Sequence, residues 1–232
     1  MVGYLGANAP ARSAVLSEAR RFPAITLSRQ AGARAMRIGS LLRDRLAKTQ
    51  SDDAPPWTLF GGELIQRVLR ESDLPEELSR FFPEDGSNSW QETVEEIVGL
   101  HPSSFEINRR CHETILNLCR LGHVIVVGRC GNILAKDLPN TVHVRFVGSF
   151  EKRVRFLAES RSWSDKEAAS YVKREDAERR RYAKENFSVA DLDDPGLYDL
   201  VINTDRLSDD SVARMVELAM FAKAARATAS RR

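Results

Sequence analysis

His123-Val124-Ile125-Val126-Val127 is a nearly continuous apolar run, and it closes on Gly128-Arg129-Cys130-Gly131. A short β-branched run ended by glycine reads as a strand buried on both faces, not one alternating between core and water. Strands of that kind belong to parallel sheets covered by helices. Working outward, Ala24-Ile25-Thr26-Leu27-Ser28 follows Pro23 and is a second short strand. Val142, Val144 and Phe146 alternate in another, Asp199 to Asn203 form a last one, and Trp57 to Phe60 form a short one. Helical spacing separates them. It is carried by Ile38, Leu41, Leu42 and Leu46, then by Leu64, Ile65, Val68 and Leu69, then by Ile107, Cys111, Ile115 and Leu118 before a stop at Gly122.

The second half continues the pattern. Ser149 stands where a cap is expected for the helix bearing Phe150, Val154 and Leu157. Ser164-Asp165-Lys166-Glu167 is a capping box that opens a long charged helix to about Glu185. Ser208 caps a final helix with Val212, Met215, Val216 and Ala219 on one side. Strands alternating with helices give an α/β protein built on a parallel sheet covered on both faces. The core spans 22–222. A loose arm precedes it at 1–21, and a tail expected to fray follows at 223–232. The stretch 73–105, with Pro75, Pro83 and Pro102, reads as an insert of short helices and loops.

Composition excludes several classes. The 35 Lys+Arg balance 33 Asp+Glu, and 42% of the 232 residues are apolar, as in a soluble globular chain. No stretch approaches a membrane span, and the first residues lack the apolar run of a secretory signal. Cys111, Cys119 and Cys130 cannot all pair and match no zinc spacing, so no metal site is expected and a reducing cytoplasm is. The four histidines form no catalytic grouping. Nothing in the residues speaks to oligomeric state. One asymmetry survives: 28 Arg against 7 Lys. It fits either planar recognition of phosphate or a genomic bias.

In doubly covered sheets, ligands bind beyond the carboxyl ends of the strands. Arginines gather at such ends. Ser28-Arg29-Gln30-Ala31-Gly32-Ala33-Arg34-Ala35-Met36-Arg37 is a small-residue turn leading into a helix, whose N-terminus suits an anion. It is equally an ordinary loop with solvated arginines. Gly128-Arg129 puts a bidentate donor at the end of the central strand, or simply turns the chain there. On the long helix, Glu175–Arg179 and Asp176–Arg180 are acid-before-base pairs four residues apart. Three consecutive arginines, 179 to 181, exceed what those pairs need. They read as a solvated face or as a basic lid over transferring phosphates. Nucleic-acid binding is disfavoured, because acids match the bases and no aromatics interleave them.

Taken in order, these stretches resemble the cytidylate kinase-like family of P-loop nucleoside monophosphate kinases. The likeness runs from about Ala24 to Met220. It rests on Ile25-Thr26-Leu27-Ser28-Arg29, Val126-Val127-Gly128-Arg129, Asp176-x-x-Arg179-Arg180 and Tyr198-Asp199-Leu200-Val201-Ile202-Asn203-Thr204. The resemblance implies a three-layer fold: a five-stranded parallel sheet flanked by helices, a monophosphate-binding insert and a helical lid over about 161–190. It implies ATP-dependent phosphoryl transfer to a nucleoside monophosphate, CMP or dCMP first, with Mg²⁺. By position, Ser28, Arg29, Gly32, Ala33, Arg34, Ala35, Met36 and Arg37 would hold the ATP phosphates. Gly128, Arg129 and Arg153 would hold the acceptor, with Arg153 alternatively a helix-surface residue. Arg174, Arg179 and Arg180 would close on the transferring group, oriented by Asp176.

The chain departs from the family pattern in the loop. Relatives show an acid and an aromatic at Gln30 and Ala31, and a glycine pair at Arg34 and Ala35. No Lys followed by Ser or Thr is present. Arg34 and Arg37 are the charges available in its place, and a guanidinium is not a compact ammonium. Two other readings therefore stand beside the kinase: a catalytically impaired regulatory homologue that binds a nucleotide or a partner protein, and a kinase of another small molecule on the same fold.

Overall fold

The structure is a computed structural model, and it describes residues 22–51, 54–61, 104–128 and 130–229. Five strands, β1 (Ala24–Arg29), β2 (Thr58–Phe60), β3 (Val124–Val127), β4 (Thr141–Val147) and β5 (Leu200–Asn203), form one sheet in the order β2-β3-β1-β4-β5. Every pairing is parallel. The helices are α1 (Ala35–Thr49), α2 (Ser104–Leu121), the short α3 (Gly131–Leu134), α4 (Phe150–Arg161), α5 (Asp165–Phe187) and α6 (Asp209–Ala229). The expected α/β architecture is therefore the observed one. The helix expected from Leu64 to Leu69, most of the 73–105 insert, the 1–21 arm and Arg129 lie outside the described residues.

Period-two alternation along β1 sorts its side chains into two cores. Ile25 and Leu27 meet Ile38, Leu42 and Leu46 of α1 and Val212, Val216 and Met220 of α6 on one face. Ala24 joins Ile115 and Cys119 of α2 on the other. All four residues of β3 are buried, because helices cover both faces of that strand. A third apolar cluster lies between α4 and α5, from Val154, Leu157, Ala168, Tyr171 and Val172. Ala31, from the loop after β1, is part of it. That shared cluster positions the loop against the long helix.

Some local expectations shift. His123 adopts φ 50° and precedes β3 instead of belonging to it; its ring stacks on Trp57, which likewise stays outside β2. Ser149 begins α4 without capping it through its hydroxyl; its N–H donates to Asp205 at 2.8 Å. The capping box at Ser164 and Glu167 is formed, and Ser208 Oγ accepts the Ser211 N–H. The last helix continues to Ala229, past the point where fraying is expected. Its end is rich in alanine, the residue that loses least on entering a helix.

Candidate active site

The site begins where β1 stops. Gln30 to Arg34 turn the chain into α1, with Gly32 at φ 79° and Arg34 at φ 62°. A Cβ on Gly32 would stand 2.6 Å from the Arg153 carbonyl oxygen, so the loop lies hard against the backbone of α4. Gln30 Oε1 accepts the Gly148 N–H at 3.1 Å, fastening the loop to the end of β4. Ala33 and Ala35 are buried, which accounts for small residues there.

Helix α5 crosses this loop. Its first half packs on α4, and Tyr182 near its end shares a 2.8 Å hydrogen bond with His112 of α2. Between these anchors, Asp176 turns inward. Its Oδ1 accepts the Ala31 N–H at 2.7 Å, and its Oδ2 pairs with the Arg153 guanidinium at 2.7 Å. Arg153 is buried, not on the helix surface; it also donates to the Ala31 carbonyl at 2.8 Å and to Gly148 at 3.0 Å. The charged helix thus reaches the loop with one carboxylate, beside the apolar contact of Ala31.

The other expected site residues fall into three groups. Arg179 donates to Glu175 at 2.7 Å, as the four-residue spacing predicts, and lies 3.5 Å from Asp176. Glu175 is buried; desolvation raises its pKa, and the nearby Arg179 charge opposes the rise. Arg180 is exposed, and its expected partner Asp176 is directed to the loop instead. Arg174 is exposed above the Tyr171 ring, in a groove shared with Trp163 and Lys166.

The second group faces the carboxyl ends of β1 and β3. Gly128 has φ 86°, and the Arg29 guanidinium fills the space a side chain there would need. Ser28 Oγ accepts from Arg145 at 2.9 Å and lies 3.3 Å from the Tyr198 hydroxyl. The third group serves the segment that follows the carboxyl end of β5. Arg34 pairs with Asp209 at 2.9 Å and donates to the Thr204 and Leu207 carbonyls, and Arg37 also binds Asp209. Met36 is half-exposed against Gly61. The arginines closest to the missing lysine in sequence are therefore committed to the start of α6.

Arg145 and Asp193 belong to this site without having been singled out by motif, and Tyr198 joins them from the last-strand motif, where it had been given no role. Arg145 is 4% exposed and binds Asp193 at 2.6 Å, tying β4 to the segment that follows α5. Burial raises the pKa of Tyr198, whose hydroxyl donates to the Leu192 carbonyl at 2.8 Å. A signal was available: an arginine between Val144 and Phe146 in an alternating strand is a charge at a buried-sheet position.

The cytidylate kinase-like family matches residues 24–206, and the chain belongs to that family. No curated protein matches the chain. An uncharacterized protein from Eubacterium ventriosum ATCC 27560 aligns at 17% identity and TM-score 0.61, covering 85% of this chain and 98% of its own. A shikimate kinase from Bacteroides thetaiotaomicron aligns at 12% identity and TM-score 0.45, covering 84% of this chain and 96% of its own. A gluconokinase from Sinorhizobium meliloti 1021 aligns at 12% identity and TM-score 0.43, covering 88% and 92%. The five-stranded parallel sheet flanked by helices is the fold it shares with the Eubacterium ventriosum protein. Among the described residues, no helix is long and apolar enough to cross a membrane.

Proposed function

We propose that the protein is an ATP-dependent phosphotransferase acting on a nucleoside monophosphate, CMP or dCMP first, in the cytoplasm. The observation that carries this reading is the Asp176 contact, because it brings the basic run of α5 to the mouth of the loop after β1. Phosphoryl transfer needs positioning and charge neutralisation more than covalent chemistry, and mobile guanidinium groups supply both.

In this reading the loop from Ala31 to Ala35 binds the ATP phosphates, and Arg179 and Arg180 act on the transferring group. Arg29, beside Gly128, would serve the acceptor side, the role that the resemblance gives Arg129. The donor set suits the phosphates: the Ala31 N–H and Arg153 already hold the two oxygens of a carboxylate. Among the described residues, no three Asp, Glu, His or Cys side chains converge to hold a metal alone. Mg²⁺ would therefore arrive on the nucleotide, where it neutralises phosphate charge.

The test is ADP release by purified protein with Mg-ATP and CMP, dCMP, UMP or AMP. Acceptor-dependent release is expected, with the Arg179→Ala, Arg180→Ala double variant slower by about 100-fold or more. No acceptor-dependent turnover in the wild type refutes the reading. One observation favours a second reading, the regulatory homologue: Arg34 sits at φ 62°, where relatives carry glycine, and is committed to Asp209. Thermal stabilisation by ATP without turnover would support that reading.

A further inference from the structure

The Asp176 carboxylate is held as a bound oxyanion is held, by a backbone N–H and a guanidinium aimed at its two oxygens. The two donors do not depend on their occupant for their positions. Arg153 is 8% exposed and is fixed by the Gly148 and Ala31 carbonyls. Ala31 is 3% exposed and sits in the α4–α5 apolar cluster. Gly32 lies against the Arg153 backbone. The cradle thus belongs to the loop and to α4, while its occupant is supplied by α5.

We infer that the Ala31 N–H and Arg153 form an anion subsite that Asp176 plugs, so that a phosphate group enters it only in exchange for the carboxylate. The inference rests on the loop being a phosphate site, as proposed above. A phosphate oxygen and the Asp176 Oδ1 compete for the same N–H, and two negative groups cannot share one short contact. Once displaced, Asp176 no longer holds the middle of α5 on the loop. The α4 packing and the His112–Tyr182 bond still anchor the two ends of the helix. Ligand entry therefore loosens the segment that bears Arg174, Arg179 and Arg180 without detaching the helix.

The test titrates inorganic tripolyphosphate into the full chain by calorimetry, comparing wild type with Asp176→Asn and Asp176→Ala. Removing a charge-assisted contact from the subsite should tighten binding by about tenfold in Asp176→Ala. Asp176→Asn, which keeps the volume and an acceptor for Ala31, should fall between the two. Adding Arg153→Gln to Asp176→Ala should abolish the gain. In wild type, saturating tripolyphosphate should speed hydrogen exchange over 170–181 while β1 stays protected.

Equal or weaker binding by both natively folded single variants overturns the inference. So does unchanged or slower exchange in α5, or the absence of binding to all three chains. Failure of the kinase reading is seen separately, as a lack of acceptor-dependent ADP release by a protein that still binds tripolyphosphate.

Discussion

Gly32 and Arg34 flank the turn after β1 with positive φ, but only one of them is suited to it. Gly32→Ala would force a side chain into left-handed backbone and 2.6 Å from the Arg153 carbonyl, which cannot swing aside as a side-chain tip can. A loss of about 2 kcal/mol is expected, read as a lower urea midpoint. Arg34 tolerates the same region because Asp209 and two carbonyls hold its guanidinium. His143 carries a different liability. Its Nδ1 meets Thr26 Oγ1 at 2.8 Å in the buried sheet. Burial, aided by the Lys223 charge and opposed by Asp199, pushes its imidazole down to about 4 from an ordinary 6.5. Between those values the unfolded chain binds a proton that the folded chain refuses, so stability falls as pH drops from 6.5 towards 4. The contribution is about 3 kcal/mol. Urea unfolding of wild type and His143→Gln at pH 7.5 and 4.5 measures it; an equal loss in both chains would reject the assignment.

Helix α5 shows what an element adds beyond its residues. Its 23 residues carry few buried side chains, so much of its stability has to come from its ends and from Asp176. Ser164→Ala removes the acceptor for the Glu167 N–H and should cost about 1 kcal/mol in urea unfolding. Tyr182→Phe removes the hydrogen bond to His112 while keeping ring contact with Phe187. Faster hydrogen exchange over 180–187, with the first half of α5 unchanged, is the expected result. If exchange rises along the whole helix instead, the Asp176 and α4 contacts do not divide it as described. The basic run looked like one feature in the sequence. In the fold it splits: Arg179 is bound to Glu175, Arg180 is exposed, and Arg174 lies over Tyr171.

At the scale of the molecule, the C-terminal helix closes the structure onto its beginning. Val212, Ala213, Val216 and Met220 fill the core beneath β1 and β4, and Arg45 of α1 binds Glu217 at 2.8 Å. Removing residues 208–232 should therefore abolish cooperative unfolding and near-ultraviolet dichroism, although every site residue remains; a truncated chain that still melts cooperatively would reject this role for α6. The sheet itself is legible in the sequence, because β-branched runs, helical spacing, the Ser164 box and the Gly122 stop act within a few residues of chain. The candidate site follows from the general rule that such sheets bind ligands beyond the carboxyl ends of their strands. Family membership could be read from four short motifs in order. Where each guanidinium goes could not be. Arg34 and Arg37 sit in the loop's sequence yet serve Asp209, while Arg153 and Asp176, 23 residues apart on different helices, meet at Ala31. Long flexible cations choose partners by distance in space, and only packing of α4, α5 and α6 around the loop creates those distances.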